Sequence, residues 1–194
     1  MKAAIKSVVQ GIFLALAFPM ALLAGFGRFE SVFRFFGHVC ALGPGLPGDY
    51  LRIAYYKLTL DACDLESRIE FGSFFAHPQA RLARLVYIGS YCVLGRTSIG
   101  ERTQIASGVQ ILSGRRQHAR DQNGRILGGE AGVFETAAIG ADCWIGAGAI
   151  VMADVGAGST VGAGSVVVKP IPEGSVAVGN PARVVAEGDR HGTR

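Results

Sequence analysis

Residues 139–168 read IGADCW IGAGAI VMAD VGAGST VGAGSV VV, so aliphatic side chains recur at Ile139, Ile145, Val151, Val155, Val161 and Val167. A six-residue step fits neither the turn of an amphipathic helix nor the plain alternation of a hairpin, and it is a signature of the parallel β-helix. Each hexad predicts one flat side of a triangular coil, with its aliphatic side chain pointing inward and stacked on the equivalents above and below. Gly156 and Gly162 follow the inward residue near a corner, where a Cβ would crowd the next coil.

The same beat runs earlier in the chain through Leu82, Ile88, Leu94, Ile99, Ile105 and Ile111. Two runs therefore predict one solenoid. Between them residues 113–138 break the period and are rich in Gly, Arg and polar side chains. This stretch is expected to be a loop thrown out from the coils, free to carry function. The expected organisation is an apolar helical membrane-associating segment at 1–47 and a connecting helix with entry to the solenoid at 48–68. The mainly β solenoid with its loop follows at 69–185, then a polar tail at 186–194.

The chain has 194 residues and a formal net charge of +4, with a pI near 9.0 and a mean hydropathy of +0.34. That length suits one domain with an appendage. The charge is scattered, without a Lys/Arg block or a basic aromatic stripe, so no nucleic-acid partner is expected. Cys40, Cys63, Cys92 and Cys143 form no CxxC pair, which argues against a zinc knuckle or a disulfide framework and for a reducing compartment. Cys92 and Cys143 fall inside repeats and are expected to pack as small apolar residues.

Residues 7–27 contain no charged side chain and reach the about 20 apolar residues that a bilayer span needs. Pro19 interrupts them, Lys2 and Lys6 precede them and Arg28 closes them. Phe29, Val32, Phe33, Phe36 and Val39 then share one helix face. A spanning helix competes with a Pro-kinked re-entrant or in-plane hairpin. A signal peptide and a helix buried in an oligomer core are further readings. LPGD at 46–49 is read as the end of this region, and residues 50–60 as a short helix leading into the first coil.

His118 lies in the non-repeat loop among Arg115, Arg116 and Arg120. A histidine can take a proton from a hydroxyl and return it to a leaving group near neutral pH. It needs an acid or carbonyl on its other nitrogen, for which Asp121, Glu130 and Glu135 are the candidates. His77, in FFAHPQA, is the competing histidine and is read as structural.

The C-terminal half resembles the hexapeptide-repeat acyltransferases, close to the maltose, galactoside and capsular-polysaccharide O-acetyltransferases. The WIG segment at Trp144 and GNPAR at 179–183 carry the resemblance, which covers residues 82–185. It implies a left-handed parallel β-helix assembled as a homotrimer, with active sites between subunits and acetyl-CoA or another acyl-CoA as co-substrate along a groove. By position it implies His118 as general base, the backbone N–H of Ala147 facing the thioester carbonyl, and Trp144 lining the acceptor and pantetheine site. Ala163 and Lys169 match groove positions, and Arg183 matches a basic residue near the nucleotide phosphates, where a planar fork suits phosphate. Two residues depart from the pattern. Ala119 stands where relatives have proline after the histidine, and Val168 stands where threonine precedes the groove lysine.

The resemblance thus implies O-acetylation of a sugar or lipid-linked saccharide. Read with the apolar N-terminus, it puts the acceptor and membrane lipid at the cytoplasmic side of the cell inner membrane. Amino-acid or N-acyl transfer, and lipid acylation from a longer donor, belong to the same chemistry. A silent trimeric scaffold is the non-enzyme alternative. A hydratase resembling the γ-type carbonic anhydrases needs three histidine ligands, which this spacing does not supply, so no metal is expected.

Overall fold

A computed structural model describes residues 2–114, 118–127 and 132–187. They form three helices, a 3-10 turn and sixteen short strands. Helix α1 (Lys2–Leu23) continues through Pro19, and the chain turns instead at Gly25–Gly27. There Gly25, Phe26 and Gly27 all have positive φ. The expected kink at Pro19 is therefore displaced to the glycine pair, which reaches the left-handed region at little cost. Helix α2 (Glu30–Ala41) and helix α3 (Gly45–Thr59) follow. LPGD does not end the helical region. It forms the first turn of α3, where a proline's missing N–H costs nothing.

The solenoid starts earlier than the two quoted runs. Its first coil is β1 (Ala62–Cys63), β2 (Arg68–Ile69) and β3 (Phe74–Phe75), and the second is β4 (Arg81–Leu82), β5 (Tyr87–Ile88) and β6 (Val93–Leu94). The third is β7 (Thr97–Ile99), β8 (Gln104–Ile105) and β9 (Gln110–Ile111), and the fourth is β10 (Ala137–Ile139), β11 (Trp144–Ile145) and β12 (Ile150–Val151). Val155 opens the fifth as a single bridge before β13 (Thr160–Val161) and β14 (Val166–Val167). Ile171 opens the sixth before β15 (Ser175–Val178). Strand β16 (Arg183–Glu187) then folds back antiparallel on β15.

Each face of the triangle is one sheet, parallel throughout except where β16 closes the second. The orders are β1-β4-β7-β10, then β2 through β5, β8, β11, β13 and β15 to β16, then β3-β6-β9-β12-β14. All twelve aliphatic positions of the two runs are at most 2% exposed. At about 1.5–3 kcal/mol for each large apolar side chain, these columns dominate the stability of the coils. The corners are tied by hydroxyls. Ser73 Oγ donates to Gly89 O at 2.6 Å and accepts from Cys92 N at 2.8 Å, and Thr103 Oγ1 donates to Gly140 O at 2.7 Å. Cys92 and Cys143 are buried, and desolvation pushes both thiols up, so they pack rather than react.

Helices α2 and α3 plug the open end of the first coil. Tyr56 meets the inward Phe75 edge to face with ring centroids 4.9 Å apart, and its hydroxyl accepts from the edge amide Phe75 N at 3.1 Å. Arg52, fully buried, donates to Ile69 O at 2.8 Å, Gly43 O at 2.6 Å and Cys40 O at 3.1 Å. Its guanidinium also pairs with Asp49, whose second oxygen accepts from Arg68 Nε at 2.9 Å. The sheet edges at this end are thus met by side chains of the cap.

Candidate functional site

The site begins at the corner that follows β11. Trp144 is 60% exposed on the outer face of the seven-stranded sheet, in register with Gln104 below and Thr160 above. Three residues on, Ala147 turns the corner. Gly108 N donates to Ser90 O at 2.9 Å, Gly148 N to Ser107 O at 3.0 Å and Gly164 N to Ala147 O at 2.8 Å. Ser90, Ser107, Ala147 and Ala163 therefore stack as one column of small residues. Gly146 lies so close beneath that a Cβ there would come within 2.5 Å of Ala163 N. Among the described residues the exposed Ala147 N–H meets no protein acceptor, while its carbonyl is engaged.

Arg183 joins this column from above. The parallel register sets Thr160 beside Val176, and Val178 pairs with Arg183 across the closing hairpin. Ala147 and Ala163 thus stack at one corner of the prism, with Trp144 exposed on the adjoining sheet face and Arg183 in the rung beyond Val178.

Lys169 stands elsewhere. It is exposed at the next corner, after β14. Its neighbours Val168 and Pro170 line a cleft of about 340 Å³ together with Gly114, Glu135, Thr136 and Asp154. The non-repeat loop departs from and returns to this second edge. Within the loop His118 is exposed, just before a two-sided turn in which Arg120 and Ile126 form an antiparallel bridge. Asp121 Oδ1 accepts from Asn123 N at 2.8 Å and Arg125 N at 2.9 Å, so this acid holds the loop's own turn. Glu135 lines the cleft at the loop base. Among the described residues neither acid is hydrogen-bonded to His118; Glu130 lies outside them.

The returning arm folds down the same edge. Phe134 packs on His77 with ring centroids 5.1 Å apart and lies under the Arg96 guanidinium at 5.2 Å. His77 Nδ1 also faces Glu30 Oε1 of α2 at 3.5 Å. His77 is therefore a packing histidine that joins loop, coil and cap. Among the described residues no three His, Cys, Asp or Glu side chains gather as a metal site. What residue-by-residue reading missed is the division between two edges. It follows from strand register, which the spacing of motifs does not carry.

No family model matches the chain. It is 47% identical over 113 residues to Nodulation protein L of Rhizobium leguminosarum bv. viciae, a match covering 56% of this chain and 57% of that protein. The match thus spans little more than half the length of that curated relative. A maltose O-acetyltransferase from Clostridium difficile 630 superposes with a TM-score of 0.63 at 24% identity, over 87% of this chain and 89% of the other. A mutant of AntD, an N-acyltransferase from Bacillus cereus in complex with dTDP-4-amino-4,6-dideoxyglucose and coenzyme A, superposes with a TM-score of 0.54 at 19% identity. That match covers 64% of this chain and 71% of AntD. The resemblance carried by the WIG and GNPAR segments thus meets a matching architecture, and the chain is a hexapeptide-repeat solenoid with the fold of these acyltransferases.

Proposed function

We propose that the protein transfers an acyl group, acetyl in the first instance, from coenzyme A to a hydroxyl of a sugar or lipid-linked saccharide. The observation that supports this reading is the stacked corner of Ala147 and Ala163, with Trp144 on the face beside it and Arg183 in the closing rung. Three rungs of ~4.8 Å separate the Ala147 amide from Arg183, a span of about 14 Å. An extended pantetheine arm fits that length, with its thioester at the free N–H and its phosphates at the guanidinium.

His118 and Lys169 belong to the other edge of the same chain. In a homotrimer of prisms the first edge of one copy faces the second edge of the next, and the two half-sites become one. His118 Nε2 then takes the proton of the acceptor hydroxyl as its oxygen attacks the thioester carbonyl. The oxyanion is held by the Ala147 N–H. Collapse breaks the C–S bond, and the thiolate leaves with the proton returned by the imidazolium. General base catalysis of this kind is worth roughly 10² to 10⁴ in rate, and an oriented amide donor contributes about 10² to 10³. Lys169 of the neighbouring copy adds positive charge beside the coenzyme. Glu135, at the loop base, is the remaining described acid for orienting His118. The apolar N-terminus supports a reading in which this chemistry runs at the cytoplasmic side of the inner membrane, where lipid-linked saccharides are presented.

The test is thiol release from acetyl-CoA by detergent-purified protein given a membrane lipid and saccharide extract. Extract-dependent release is expected, with His118→Ala lowering it by at least 10² and Trp144→Ala raising KM for the acceptor. Mass spectrometry of the product separates an O-acetyl sugar from an amide or an acylated lipid. Absence of both release and acetyl-CoA binding would sink the reading and leave the scaffold.

A further inference from the structure

We infer that α1 lies in the plane of a membrane and seats the solenoid on an anionic lipid surface by its helical cap. This deepens the membrane assignment above and does not depend on acyl transfer. Residues Ala4–Leu23 are long and apolar enough to cross a bilayer, but both ends of the helix are fastened to the first coil. Near its start Lys6 Nζ meets Glu66 Oε2 at 2.8 Å, and Gln10 Nε2 donates to Leu65 O at 3.0 Å, both partners lying in the turn between β1 and β2. Phe13 stacks on Tyr50 of α3 with centroids 5.5 Å apart, and Ala17, Ala21 and Ala24 are fully buried against the cap.

The far end is held as closely. Gly27 lies against the Thr59 carbonyl and Pro78 with no room for a Cβ. The 22 residues of α1 span ~33 Å at ~1.5 Å per residue, and that whole length runs along one face of the folded body. A helix crossing the roughly 30 Å hydrocarbon core must leave its ends on opposite sides. This helix has both ends on the same side as the solenoid.

The outward face is apolar where a water-facing helix would be polar. Ile5, Val8, Ile12, Leu16 and Leu23 are each more than half exposed, and between residues 4 and 23 the polar side chains are confined to the first turns, at Lys6, Ser7 and Gln10. Phe26 and Phe29 extend the patch around the turn, with Arg28 exposed between them. No acidic residue occurs before Glu30, and in the sequence Lys2 and Arg28 flank the apolar segment, Lys6 being paired with Glu66. An apolar face with a basic border is complementary to acyl chains beneath anionic headgroups.

The test uses the full chain. Single cysteines at Ala4→Cys, Arg28→Cys and, as a reference on the second coil, Tyr91→Cys are probed with an impermeant maleimide in sealed vesicles; the four native cysteines are buried. All three should label from the same side. Labelling of Ala4→Cys and Arg28→Cys from opposite sides would make α1 a span and overturn the inference while leaving membrane attachment standing. In parallel, binding to phosphatidylglycerol vesicles should exceed binding to phosphatidylcholine, and Ile12→Glu with Leu16→Glu should lower it at least tenfold with the thermal transition unchanged. Binding unaffected by that pair refutes the docking face. An assembly of two bodies that the pair splits, without vesicle binding in the parent, assigns the face to a second copy instead.

Discussion

Arg52 is the residue on which the helical cap turns. It is a charge with no exposed surface, held by the Ile69, Gly43 and Cys40 carbonyls and by Asp49. Removing one partner of such a cluster strands the others, so Arg52→Met is expected to destabilise the chain by about 3–5 kcal/mol. The measurement is the denaturant midpoint, with Trp144→Ala as a control that changes stability by less than about 0.5 kcal/mol because its ring is exposed. A midpoint for Arg52→Met equal to the parent's would show that the cap does not need the cluster. None of this was readable in the sequence, where Arg52 is one residue of the short helix expected to lead into the first coil. The inward aliphatic residues were readable because each repeats its neighbour's environment. The corner hydroxyls of Ser73 and Thr103 were not, since serine and threonine are ordinary at turns.

Among the elements, α1 depends on polar ties that respond to pH. The Lys6 hydrogen bond holds the Glu66 carboxyl below its ordinary range. A depressed folded value means that the stabilisation is present in full above the unfolded carboxylate value of about 4.3 and is lost as pH falls through the folded value. Hydrogen exchange in the first turns of α1, corrected for intrinsic rates, is therefore expected to quicken below about pH 4 while the coil columns stay protected. Glu66→Gln should show the loosened helix already at pH 7 and no further acid response; an identical acid response in both proteins would exclude this tie. The helix itself was evident from composition. Its course along the cap and first coil was not, because the decisive contacts are 55 and 60 residues away in the chain. The loop divides likewise: its departure from the period was plain, while the turn closed by Asp121 and the packing of Phe134 on His77 depend on what stands beside it in space.

In the whole molecule the periodic part was legible almost to the residue, and the two ends were not. Cys63, Ile69 and Phe75 carry the same inward step one coil earlier and are buried, but a cysteine and a phenylalanine disguise the beat. At the other end the chain reverses. Strand β16 pairs antiparallel with β15, and Val166 exchanges hydrogen bonds with Gly179 and Ala182 at 2.9 and 2.8 Å. A stack of parallel rungs has no intrinsic length, since every finished coil is a template for another. The helical plug and the reversed hairpin therefore act as terminators of growth, and they set a particle size that the repeat alone would leave open. Cutting the chain after Gly179 removes one of them. The shortened protein is expected to scatter light increasingly with concentration and to form filaments in which one solenoid continues into the next, an outcome that electron microscopy would reveal directly and that a monodisperse truncated protein would contradict.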